Sequence, residues 1–134
     1  MIVVAIIGIL AAIAIPSFTY FQYRAKRSEI PTNLSAIRKA EIAYDVEYGT
    51  FLAAPANPGS FATTGQMWIP GLPGWTEIGF RPDGKVRANY SIPVGTQTTY
   101  EARGEMDLDL NGDIALYTVT ETQAITMVSP SSTY

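Results

Sequence analysis

The chain contains no cysteine and no histidine. Without cysteine there is no disulfide, no thiolate-bound zinc, no iron–sulfur cluster and no thiol nucleophile. Without histidine the commonest general base and metal ligand is gone, and a Ser-His-Asp triad cannot be built. Few enzyme mechanisms survive both absences, so the sequence reads as a non-enzyme. A hydrolase using Asp107 and Asp113 has little else in its favour. Positive charge is also scarce: nine Lys and Arg against twelve Asp and Glu give a formal charge of −3. Nucleic-acid binders usually show a basic patch. The one basic cluster here is Arg24, Lys26 and Arg27, directly after an apolar run. It reads as a membrane flank, and no specific nucleic-acid partner is expected.

Charge is wholly absent from the side chains of residues 1–23, which open MIVVAIIGILAAIAIP. As a helix this segment is about 34 Å long, enough to cross a hydrocarbon core. A cleaved signal normally has a basic start and a shorter apolar core. Here Ile2 and Val3 follow Met1 at once, and the helical pattern runs on past Ala12-Ile13-Ala14, so the segment is read as retained.

Residues 24–48 continue as an amphipathic helix. Ile30, Leu34, Ile37, Ala40, Tyr44 and Tyr48 recur at spacings of three or four and form one apolar stripe. Arg38, Lys39, Glu41, Asp45 and Glu47 are assigned to the other faces, and Gly49 to the stop. Pro16 and Pro31 each lack an amide donor and crowd the preceding turn. A kink or local unwinding is expected at both, with Gly8 weakening the helix further.

Residues 49–74 are rich in Pro and Gly and carry no charge, which reads as a packed loop. From residue 75 to 134 the texture is that of strands. Trp75–Phe80, Lys85–Ile92, Tyr100–Leu108, Ile114–Thr120 and a weaker Ala124–Val128 are separated by turn residues such as Arg81-Pro82-Asp83-Gly84. Short turns imply antiparallel pairing. A polar tail, Ser129–Tyr134, is expected to fray. The fold class is α+β: a long helix packed by its C-terminal half on a small antiparallel sheet, its N-terminal half projecting bare. Such a bare helix must be covered by lipid or protein.

The opening run, followed by an aromatic-rich turn and by Ser28-Glu29 through Asn33-Leu34, resembles the N-terminal helix of bacterial type IV pilins. GWTEIGFRPDGKVRANYSI resembles the first hairpin of many short pilins, and ARGEMDLDLNGDIALYTVTE their later, aspartate-rich hairpin. The resemblance implies a membrane protein trimmed by a prepilin peptidase and methylated at its new N-terminus. It implies an inner-membrane assembly machinery and polymerisation with identical subunits into an extracellular filament, serving adhesion, motility or DNA uptake. The implied core-facing residues are Ile2, Val3, Ile6, Ile7, Ile9, Leu10, Ile13, Ile15, Phe18 and Phe21. The stretch from Gly8 to Pro16 is expected to lose helical hydrogen bonding in the polymer. Family members carry a basic leader and a Phe-Thr-Leu-Ile-Glu-Leu type segment before the Met-Ile-Val-Val run, so further residues upstream of Met1 are expected. Arg24, Lys26 and Arg27 alone would hold the C-terminal domain in the cytoplasm, a conflict that a basic leader resolves. Pseudopilins of type II secretion share the architecture and are the runner-up, followed by a membrane-anchored monomeric binding module.

Two further features stand apart. Asp107, Asp109, Asn111 and Asp113 alternate around Gly112 like the start of a calcium loop. However, its twelfth position would be Thr118, and an Asn-Gly hairpin turn explains the same residues. Calcium is therefore a candidate cofactor and no other is expected. Ser129, Ser131, Ser132 and Thr133 are candidate sugar acceptors.

Overall fold

The computed structural model describes every residue except Ser131 and Tyr134. Two helices run end to end: α1, Ile2–Arg27, and α2, Glu29–Tyr48. The helix passes through Gly8 and Pro16 without a break, which corrects the expectation of unwinding there in the isolated chain. Proline's fixed φ suits a helix, and one missing donor leaves only the Ala12 carbonyl without its bond. The neighbouring turns carry the helix across.

The interruption lies instead at Ser28, three residues before Pro31. Pro31 is the third residue of α2. Its ring opposes the Arg27 carbonyl and it donates no bond to it, so the helix restarts just ahead of it. Ser28 covers the seam: its Oγ donates to the Ala25 carbonyl at 2.7 Å, and its own carbonyl accepts from Thr32 Oγ1 at 3.0 Å. At the far end Gly49 adopts φ 69°, and its amide donates to the Asp45 carbonyl, a left-handed cap that ends α2 as expected.

Among the described residues seven strands follow: β1 Ala54–Asn57, β2 Gln66–Met67, β3 Lys85–Val86, β4 Asn89–Gly95, β5 Tyr100–Met106, β6 Ala115–Thr120 and β7 Thr126–Met127. Five form an antiparallel sheet in the order β1-β4-β5-β6-β7, and β2 pairs with β3. The expected α+β architecture is borne out. Along β5 every second residue, from Tyr100 to Met106, is buried. Ile30, Leu34 and Ile37 of α2 are fully buried against this sheet. Gly104 makes the approach possible, because a Cβ there would collide with Ile30. Beside the helix, Trp68 packs edge-on against Trp75 and Phe80 at 5.0 and 5.5 Å, and Trp75 Nε1 donates to the Pro55 carbonyl at 2.7 Å.

Several strand boundaries differ from expectation. Trp75–Phe80 is a run of turns, with Gly74 and Gly79 at φ 85° and 68° and the Ile78 amide bonded to the Gly74 carbonyl. Trp75, Ile78 and Phe80 still reach the core; a short apolar run does not tell strand from turn. Lys85–Ile92 is broken between β3 and β4, where Arg87 and Ala88 turn their amides to a side chain of α2. The loop 49–74 holds β1 and β2, unrecognised because Pro55 interrupts the first. Two described residues of the tail are tied where fraying was expected: Arg27 Nη1 donates to the Thr133 carbonyl and Ser129 Oγ accepts the Leu116 amide. Of the candidate sugar acceptors, Ser131 lies outside the described residues.

Candidate functional site

The largest unpartnered surface is α1 itself. At 26 residues it is about 39 Å long, and no residue of its apolar window is buried. Ile2, Val3, Ile6, Ile7, Ile9, Leu10, Ile13, Ile15, Phe18 and Phe21 are all between 51% and 78% exposed. These residues point to every side of the helix, so the head covers none of the apolar window; only beyond it do Tyr23 and Arg27 meet the head. A soluble monomer rarely shows such a surface, and a helix apolar all round is one that lipid or protein encloses. Arg24, Lys26 and Arg27 sit in its last turn, where positive charge also complements the helix dipole. Lys26 lies over the Tyr23 ring, 6.0 Å from its centroid.

The junction with the head is fixed by a carboxylate that sequence reading missed. Glu29 Oε1 accepts the amides of Arg87 and Ala88 at 2.8 and 3.3 Å, and its Oε2 pairs with Arg87 Nη1 at 3.4 Å. Tyr90 Oη lies 3.4 Å from Glu29 Oε1 and accepts from Asn33 Nδ2 at 2.9 Å. Burial and the Glu29 charge push the Tyr90 phenol well above its usual range. Glu29 gives no sequence signal beyond its place in the first turn of a helix.

A second carboxylate corrects the expected helix faces. Glu41, assigned to the solvent side, is fully buried on the stripe begun by Ile30, Leu34 and Ile37. Its place four residues after Ile37 was the available signal. Tyr48, counted on the stripe, is 59% exposed instead. Burial raises the Glu41 carboxyl to about 7, against the pull of a bond from the Leu52 amide. Burial likewise pushes Tyr100 up to about 12, opposed by the nearby Arg38, while no hydrogen bond of good geometry reaches its buried Oη.

The acidic turn is tied by its own groups. Asp107 Oδ2 accepts the Gly112 amide at 3.1 Å, Asp109 Oδ2 accepts from Asn111 Nδ2 at 3.0 Å, and Asn111 Oδ1 accepts the Asp113 amide at 2.7 Å. Asp107 is buried, and its Oδ1 has no partner. Among the described residues no three acidic side chains converge as a metal cage would require.

The chain is 39% identical over 108 residues to the type IV major pilin protein PilA of Myxococcus xanthus (strain DK1622). The alignment covers 81% of this chain and 40% of that protein, so the chain spans well under half the length of this relative. No protein-family model matches the chain. No solved structure matches it either.

Proposed function

From a chain that is similar in sequence to a type IV major pilin and has a pilin-like fold, we propose a structural subunit that polymerises through α1 into an extracellular type IV pilus. The carrying observation is the uncovered apolar helix beside a head that has its own buried core. Before assembly α1 lies in the inner membrane with the head outside. In the filament it exchanges lipid for the helices of identical subunits. That exchange gains packing rather than fresh hydrophobic transfer, so close approach matters. Gly8 and Ala12 form a small-xxx-small pair, and nothing in the chain stands within 4 Å of a Cβ placed on Gly8. Processing by a prepilin peptidase, export by an inner-membrane machinery and a role in adhesion, motility or DNA uptake belong to the same reading. Loss of helix between Gly8 and Pro16 in the polymer also belongs to it. A map of the filament with unbroken helix from Ile9 to Ser17 would remove that element.

Electron microscopy of sheared surface material tests the reading. Long filaments of this chain are expected, and Ile6→Lys should abolish them while the head keeps its circular dichroism. A chain that stays monomeric on the cell surface would make it an anchored module.

The calcium reading of the acidic turn has one atom in its favour, the unpartnered Oδ1 of Asp107. Calorimetry of the full chain in micelles decides whether calcium binds at the turn. No heat at millimolar calcium ends that proposal.

A further inference from the structure

The head carries an open apolar cavity of about 260 Å³, walled by Trp68, Trp75 and Phe80, with Gly71 and Thr76 at its edge. Arg81 lines this cavity and a second one beside it, of about 280 Å³. Its side chain is exposed, and no hydrogen bond or ion pair within the described residues engages it. The surface is thus an apolar hole with a free cation on its rim.

The turn between β5 and β6 carries a matching projection. Leu110 has φ 55°, and among the described residues it alone, glycines aside, adopts positive φ. That region disfavours a side chain with a Cβ. Asn and Asp relieve the penalty with local hydrogen bonds, which leucine cannot form. The conformation does nothing for the core, because Leu110 is 68% exposed while its neighbour Leu108 is buried. Asp109 and Asp113 flank it, both exposed. The turn therefore holds an apolar knob outward between two anions. Strain without an internal purpose points to an external one.

We propose that Leu110 of one subunit seats in the aromatic cavity of a second copy, with Asp109 or Asp113 paired to that copy's Arg81. This rests on the filament reading above. The apolar contact supplies the buried centre, and the rim charges set orientation. The two patches differ, so the contact is head-to-tail, the kind that can propagate along a filament.

The absence of cysteine makes the test clean. The doubly substituted full-length chain, Leu110→Cys with Thr76→Cys, is assembled in cells and sheared. Oxidation should give a ladder of covalent multimers on non-reducing gels, absent from either single variant. Leu110→Asn keeps a residue that tolerates positive φ and removes the knob. It should leave head stability equal or higher while lowering filament yield at least tenfold. Arg81→Glu should lower yield similarly, and adding Asp113→Lys should restore it. Filaments that form without a ladder, and that tolerate Leu110→Asn, overturn the contact but leave the pilin reading intact. Absence of filaments from the unsubstituted chain overturns both.

Discussion

The Leu52 amide donates to Glu41 Oε2 at 3.1 Å, while the other oxygen of that carboxylate is buried with no partner. The bond pins the start of the loop after α2 to the core. Asp45 on the same helix adds repulsion, and Tyr100, Arg38 and Glu121 complete the charged and polar surroundings.

Stability should fall as pH rises from about 4.5 to about 7 and level off above that. The folded carboxyl sits at about 7 against 4.5 for the ordinary group. The folded state therefore holds a proton that the unfolded chain releases between those values. Stability from this site is fully present below pH 4.5 and is lost on going up through pH 7. The loss between pH 5 and pH 8 should be about 2 kcal/mol. Glu41→Gln keeps the acceptor for Leu52 and should flatten the dependence. Urea denaturation at the two pH values measures it. An equal slope in both proteins would place the titration elsewhere.

Tyr100→Phe should be neutral or stabilising by up to about 1 kcal/mol, since it deletes a buried hydroxyl that makes no well-formed hydrogen bond, Arg38 lying near it in poor geometry. Thermal melts of the two proteins at one pH suffice. A clear drop in melting temperature would mean that the hydroxyl does find a partner.

Glu29→Ala should destabilise the head by about 2–3 kcal/mol, because it strands the Arg87 and Ala88 amides. Glu29→Gln should cost less, retaining an acceptor without the charge. Protection of those two amides from hydrogen exchange should fall first.

Gly104→Ala places a methyl against Ile30 and should cost about 1–3 kcal/mol by overpacking. Gly104→Ala with Ile30→Leu, which removes the β-branch methyl that the new Cβ meets, should recover part of that loss, as contacting residues couple.

The sequence made the long helix, its glycine stop and most of the antiparallel sheet legible. Each rests on a local period or a local breaker, as in the alternation along β5. What stayed hidden depended on distant groups. Glu41 looks like a surface charge until the Leu52 amide arrives to meet it. The break between β3 and β4 exists because Glu29 takes two amides 58 and 59 residues away. Pro16 misled in the opposite sense: the residue was read as a break, but its own φ fits the helix it stands in. In the candidate site, the exposed apolar residues of α1 were legible from composition alone. Leu110 was not, because its importance lies in a backbone angle.

The close approach of α2 to β5 across Gly104 also has a mechanical side. The head hangs on the rod along the length of α2, with Ile30, Leu34 and Ile37 all locked into the sheet. Tension drawn along α1 would enter the head parallel to that buried row. It would load the row in shear, all contacts together, instead of peeling one edge strand after another. A thread built from such units would resist pulling best along its own axis.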